Sequence, residues 1–164
     1  APERMFSLIT QLIGRAGRAN KRGRAIIQTY NPLHQTLRLG AKQDYKAFYD
    51  SEIRLRKSVV FPPFCDIAVF GFSADNEESV LDAANAFSAL FESEANGNDK
   101  IKVIKMGPYR EGIYKIGGRY RCKIIVKYKD CKECRAFFRR LLCTFTPPKK
   151  GKTGFDIDIN PAIV

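Results

Sequence analysis

The chain has 164 residues, 29 Lys plus Arg against 17 Asp plus Glu, and a formal net charge of +12. That length suits one full domain, or one domain with a piece of another, and a hydrophobic content of 45% is enough to bury a core. No apolar run approaches ~20 residues and Ala1-Pro2-Glu3-Arg4 opens no signal peptide, so neither a membrane span nor a membrane partner is expected, and the positive charge points to an anionic partner, nucleic acid first.

Taken in order, residues 3–14 place Met5, Leu8, Ile9, Leu12 and Ile13 on one helical stripe. Gly14-Arg15-Ala16-Gly17-Arg18 is expected to end that helix in a Gly-Arg turn. Residues 24–30 read as a short buried strand stopped by Asn31-Pro32, and residues 32–40 as a short helix ending at Gly40. Asp44 has the position of an N-cap for a helix to about Lys57, whose face (Tyr45, Phe48, Tyr49, Glu52, Ile53) is mixed. Phe61-Pro62-Pro63-Phe64 breaks that helix and marks a boundary.

Beyond the boundary, residues 65–73 read as a strand and residues 77–94 as an acidic amphipathic helix with Val80, Leu81, Ala84, Phe87, Leu90 and Phe91 inward. Residues 100–106 read as a strand ended by Gly107-Pro108, with Lys100 and Lys102 on a wet face, and residues 109–118 as a Tyr/Gly-rich loop. Residues 119–128 form a strand, 130–145 a helix and 155–159 a last strand. The order β-α-β-β-α-β predicts a ferredoxin-like split βαβ domain of the α+β class, with helices on one face of the sheet and the other face open to a ligand.

The charge is segregated. Residues 1–60 carry 12 basic and 4 acidic residues, residues 61–99 carry 8 acids and no Lys or Arg, and residues 100–154 carry 17 basic residues against 3 acids. Solvated faces account for part of this, but so dense a basic block favours an electrostatic footprint for phosphates. Five cysteines without a secretory signal suit a reducing, cytoplasmic setting. Cys131 and Cys134 fall near helical spacing with Phe138, Leu141, Leu142 and Phe145, which reads as core. A zinc site of Cys122, Cys131, Cys134 and Cys143 is the less favoured alternative. His34, after Asn31-Pro32-Leu33, suits a surface or capping role.

Three segments carry candidate chemistry. Gln11-Leu-Ile-Gly14-Arg15-Ala-Gly17-Arg18 puts two guanidinium groups three residues apart beside two glycines, which suits a grip on polyphosphate or, equally, a basic helix terminus. Lys115, Arg119 and Arg121, interleaved with Tyr109, Arg110, Tyr114 and Tyr120, combine phosphate neutralisation with faces on which bases stack; the alternative is tyrosines that pad the sheet. Lys132, Arg135, Arg139 and Arg140 on the helix of residues 130–145 suit an acidic peptide tail or an ordinary exposed face. Asp156 and Asp158 alternate on a strand and are expected to face solvent.

Gln-x-x-Gly-Arg-x-Gly-Arg resembles motif VI of superfamily 2 helicases. Together with Glu3-Arg4-Met5-Phe6-Ser7-Leu8-Ile9-Thr10-Gln11, Ile27-Gln28-Thr29-Tyr30-Asn31-Pro32, Asp44-Tyr45-x-x-Phe48-Tyr49-x-x-Glu52, Pro62-Pro63-Phe64, Lys115-x-x-Gly118-Arg119-Tyr120-Arg121 and Asp156-Ile157-Asp158-x-x-Pro161, the chain is similar almost end to end to the C-terminal part of the replication-restart helicase family, the primosomal protein N′ family. The resemblance implies that residues 1–40 are the α/β tail of the second helicase lobe, 41–64 a connecting helix and Pro-rich hinge, and 65–164 a domain that binds DNA and partners. It implies that Arg18 is an arginine finger, Arg15 a second γ-phosphate contact and Gln11 a nucleotide sensor, with Gly14 and Gly17 at the nucleotide cleft.

The full-length protein implied is an ATP- and Mg²⁺-dependent 3′→5′ DNA helicase at stalled forks, with a zinc-binding insertion upstream of this segment. Its implied partners are forked and single-stranded DNA, single-stranded DNA-binding protein and other primosome proteins. No Gly-x-x-x-x-Gly-Lys-[Ser/Thr] loop occurs in the 164 residues, so this segment by itself is expected not to hydrolyse ATP. A reading of another class is a stand-alone RNA-binding or ribosome-associated split βαβ module.

Overall fold

The computed structural model describes residues 2–16 and 24–161, which fall into two compact units, Ala1–Val59 and Val60–Val164. Each is described by itself.

The first unit is helical. Its helices are α1 (Pro2–Ala16), α2 (Gln35–Ala41) and α3 (Tyr45–Ser58). Pro2 occupies the first turn of α1, where a missing N–H costs nothing, with Glu3 in the first turn and Arg15 in the last. Asp44 caps α3 as its position predicts, accepting from the Ala47 N–H at 3.0 Å. The unit is held by Phe6, stacked on Phe48 at 4.4 Å between centroids, and by Ile9, which lies against Gly40. A Cβ on Gly40 would stand 3.1 Å from Ile9 Cγ2, so glycine is what lets α2 touch α1. Arg56 joins the ends by bridging Glu3 at 2.9 Å and Glu52 at 3.0 Å.

Three expectations here are corrected. The packed face of α1 is that of Phe6 and Ile9, while Leu8 and Leu12 point outward, because the aromatic pair with Phe48 sets the helix rotation. Gly14, Arg15 and Ala16, expected within a Gly-Arg turn, are still helical. Residues 24–30 form no strand: a strand needs a hydrogen-bonding neighbour, and none of the described residues pairs with them. Ile26, expected to be buried there, is 83% exposed.

The second unit contains β1 (Asp66–Ala74), α4 (Glu77–Ala95), β2 (Val103–Ile116), β3 (Arg119–Tyr128), α5 (Lys132–Thr144), a 3₁₀ turn (Lys150–Lys152) and β4 (Gly154–Ile159). The strands form one antiparallel sheet in the order β2-β3-β1-β4. Each βαβ connection therefore skips a strand that is inserted between its two ends, which is the ferredoxin-like split βαβ arrangement of the α+β class. Asn76 caps α4 and Cys131 caps α5. Ala68, Phe70 and Phe72 on β1 align with Val126, Ile124 and Cys122 on β3, and this face is buried under Val80, Phe87, Phe137 and Leu141 of the two helices.

The loop expected over residues 109–118 is instead the second half of a fourteen-residue β2. Gly107-Pro108, read as a stop, sits inside the strand at a register shift between Met106 and Tyr109. Because β2 is an edge strand, its outer side needs no ladder donor, and the missing N–H of Pro108 is tolerated. The chain turns only at Gly117-Gly118. These two residues have φ of 57° and 81° and join Ile116 directly to Arg119 in the ladder, a two-residue hairpin that asks for φ > 0 at both positions.

Candidate nucleic-acid and partner interface

Gln11 and Arg15 lie four residues apart on one exposed side of the last turns of α1, and Gly14 stands between them with open space where a Cβ would go. Gly17 and Arg18 lie outside the described residues.

The candidates around the β2–β3 hairpin separate by the pleat. On β3 the even-numbered residues from Tyr120 to Tyr128 turn to the helices and the odd-numbered ones to the open face. Tyr114 and Tyr120 therefore pack on the helix side, edge to face at 5.4 Å. Arg110 covers the Tyr114 ring at 4.8 Å and pairs with Glu77, while the Lys115 ammonium stands 4.6 Å from the Tyr120 ring. Arg119 is fully engaged: its guanidinium donates to Asp75 at 3.2 Å, Ser73 Oγ at 3.1 Å, the Ser73 carbonyl at 3.2 Å and the Lys152 carbonyl at 2.7 Å. Arg121 faces the open side, 3.4 Å from Glu111.

These contacts belong to a wider pattern. The acidic segment ending in α4 is met by the basic segment: Lys105 with Glu92 at 2.6 Å, Arg110 with Glu77, Arg119 with Asp75, Arg140 with Glu94 at 3.4 Å and Lys150 with Glu78 at 3.4 Å. Part of the dense basic block is thus neutralised within the fold, and a phosphate footprint has to come from the remainder.

A basic row lies on the open face of β3. Arg121, Lys123 and Lys127 share that side, with Ile125 between them. Tyr109, 48% exposed, is opposite Lys123 on the β2 side, and Gly71 is opposite it on the β1 side. A Cβ on Gly71 would meet the Asp156 carboxylate at 2.7 Å, so the bare backbone there is where Asp156 lies. Asp156 and Asp158 are exposed on β4, leaving the open face basic along β3 and acidic along its β4 edge. Lys127 stands 5.5 Å from the Phe61 ring. Of this row the sequence motif singles out Arg121 alone; Lys123 and Lys127 follow it as a period-two signal, Arg121-x-Lys123-x-x-x-Lys127, whose common face only the strand shows.

A second feature is a groove of about 600 Å³ between α5 and β4. Its floor is Phe138 and Leu142 from α5 with Ile157 and Ile159 from β4, and its rim carries Arg135 and Arg139. Arg135 is gripped by Asp130, with Nε 2.9 and 3.2 Å from the two carboxylate oxygens. That hydrogen bond holds the Asp130 carboxyl below the usual carboxylate range. Asp66 and Asn160 close one end, with Asn160 Nδ2 donating to Asp66 at 2.9 Å. The structure thus brings Arg135 and Arg139 together; Lys132 is exposed on the first turn of α5 and does not line the groove, and Arg140 turns away to Glu94. The apolar floor was legible only as α5 core spacing, since β4 supplies half of it.

The cysteines part company as well. Cys122 and Cys134 are buried, Cys131 caps α5, and Cys143 is exposed. Among the described residues, no three Cys, His, Asp or Glu side chains gather as a metal site. The His34 side chain makes no capping hydrogen bond to α2. No helix among the described residues is long and apolar enough to cross a membrane.

The sequence model of the Primosomal protein N C-terminal domain matches residues 57–162, from the last turn of α3 through β4. The chain belongs to this family. It is similar to the replication restart protein PriA of Bacillus subtilis, 31% identical over 160 residues that make up 97% of this chain and 19% of that one. It is also similar to that of Treponema pallidum, 30% identical over 158 residues, 96% of this chain and 23% of that one. The chain spans about a fifth of the length of these relatives. The de novo designed protein Foldit4 aligns with 59% of this chain at a TM-score of 0.42 and 12% identity. Every candidate from Arg110 to Arg139 falls within the primosomal domain, whereas Gln11–Arg18 precedes it.

Proposed function

We propose that this chain is the C-terminal part of a cytoplasmic replication-restart DNA helicase and that its ferredoxin-like unit positions forked DNA. The reading is carried by the row of Arg121, Lys123 and Lys127 on the open face of β3. Backbone phosphates follow that row, neutralised by fixed cations, and an unpaired base stacks on the exposed Tyr109 ring. The acidic β4 edge repels a polyanion and so steers the nucleic acid toward the β2–β3 side. Lys115, seated on the Tyr120 ring, serves with Arg110, Arg119 and Tyr120 by holding the hairpin that presents the row.

The groove between α5 and β4 takes the acidic tail of single-stranded DNA-binding protein. Arg135 and Arg139 meet the carboxylates, and the Phe138, Leu142, Ile157 and Ile159 floor takes apolar side chains beside them. In the full-length protein, motif VI (Gln11, Gly14, Arg15, Gly17, Arg18) faces ATP·Mg²⁺ held by the upstream lobe, and its guanidinium groups stabilise charge on the transferring phosphoryl oxygens. The family's zinc also belongs to the upstream part.

Fluorescence anisotropy with forked DNA, single-stranded DNA and structured RNA at two salt concentrations tests the DNA reading. Forked DNA is expected to bind tightest, and Lys123→Glu to weaken it about tenfold or more. A preference for structured RNA with no affinity for forks would point to an RNA-binding or ribosome-associated module instead. For the motor, Arg18→Ala in the full-length protein is expected to abolish DNA-stimulated ATP hydrolysis while fork binding survives; normal turnover would remove the arginine-finger assignment.

A further inference from the structure

Cys131 and Cys134 belong to none of the surfaces above. Cys131 is the N-cap of α5, with extended dihedrals (φ −155°, ψ 169°), and its Sγ accepts the Cys134 N–H at 3.3 Å. Cys134 lies three residues on, in the first turn, with its side chain wholly inside the core, whereas Cys131 is partly exposed. Both are free thiols. Burial pushes the Cys134 thiol up to about 11, and the neighbouring Cys131 side chain adds to the shift. Helix geometry separates Cα atoms three residues apart by ~5 Å, within the ~4.4–6.8 Å that a disulfide spans.

We propose that Cys131 and Cys134 form a redox-active dithiol that closes to an intramolecular disulfide by exchange with a low-molecular-weight disulfide of the oxidised-glutathione type. Cys131 is the entering sulfur, because it alone of the pair reaches solvent. Its thiolate attacks one sulfur of the small disulfide, forming a mixed disulfide and releasing one thiol. Cys134 then attacks the Cys131 sulfur, its proton passing to the departing thiolate, which leaves as the second thiol. The protein gives up two electrons and two protons, and the small disulfide takes both up as two thiols. In sequence the pair lies between two residues that line the α5–β4 groove, Asp130 and Arg135. Closure draws the Cys131 sulfur away from the N–H it now caps.

The test incubates the 164-residue chain with oxidised glutathione, quenches in acid, alkylates the remaining thiols and maps tryptic peptides by mass. Cleavage after Lys129, Lys132 and Arg135 puts the two cysteines on separate peptides, 130–132 and 133–135. The expected product is these two peptides joined, lighter by two hydrogens than their reduced sum, with Cys143 found only as its glutathione adduct or alkylated. Cys134→Ser is expected to stop at a glutathione adduct on Cys131, and Cys131→Ser to leave Cys134 unmodified. If the joined peptide is absent while Cys143 is glutathionylated, or if Cys134 reacts equally well in Cys131→Ser, the dithiol is refuted. The first of these readings needs no variant to fold.

Discussion

Arg119 and Lys123 stand four residues apart on the same side of β3, and the structure gives them opposite work. Arg119 makes four hydrogen bonds, one to the Asp75 carboxylate and three to neutral acceptors on Ser73 and in the 3₁₀ turn at Lys152. It ties the end of β1 to the segment leading into β4. Each such bond contributes about 0.5–1.5 kcal/mol net, and the side chain is 36% exposed, so the lower half of the range applies. Arg119→Ala should therefore cost about 2–4 kcal/mol, or roughly 10–30 °C of melting temperature for a unit of this size.

Among the described residues the Lys123 side chain has no hydrogen bond or ion pair to lose, and Lys123→Ala should change stability by less than about 0.5 kcal/mol. Its loss should instead remove one phosphate contact, lowering the slope of log affinity against log salt by about 0.7–0.9 for DNA. Urea unfolding followed by circular dichroism gives the first quantity, and anisotropy titrations on forked DNA over a salt series give the second. Arg119→Ala with native stability but a shallower salt slope, or Lys123→Ala with the reverse, would refute this division of labour.

At the hairpin, Gly117→Val places a β-branched residue at φ 57° and should cost ~1–2 kcal/mol, whereas Gly117→Asn should be nearly neutral; chemical denaturation distinguishes them. At the groove, Arg139→Glu should weaken binding of an acidic peptide carrying apolar side chains by about tenfold or more while leaving the fold intact, since Arg139 is paired with no carboxylate among the described residues; calorimetric titration checks this. The Asp130 carboxyl, held down by Arg135, should titrate below its ordinary 3.8 by NMR and rise toward it in Arg135→Ala. Because the folded value is the depressed one, the stabilisation is present above 3.8 and is lost only as pH falls through the folded value, so the Arg135 clamp persists unchanged around neutrality.

The residues themselves announced most of the second unit. β1, α4, β3, α5 and β4 appear where periodicity put them, because each buries one face against the same core and carries that face as a period of two or 3.6. Asp44 caps α3 as its position requires, whereas α2 runs through Gly40 to Ala41 and the glycine serves the contact with Ile9 instead of ending the helix. β2 was half missed, since Gly107-Pro108 normally ends a strand and only an edge location excuses it. The segment 24–30 was overread, since β-branched and aromatic residues make a strand only where a neighbour supplies the ladder.

What the sequence decides alone is therefore local: the order of elements, their buried faces, and through them the split βαβ plan. Which charges remain for a ligand is not local. Glu92 answers Lys105 across 13 residues and Glu78 answers Lys150 across 72, so the strand order, by bringing distant segments into register, chooses which cations are neutralised and which face solvent. The groove follows the same rule: α5 and β4 each contribute an ordinary amphipathic face, and a basic-rimmed apolar slot exists only because tertiary packing sets them side by side.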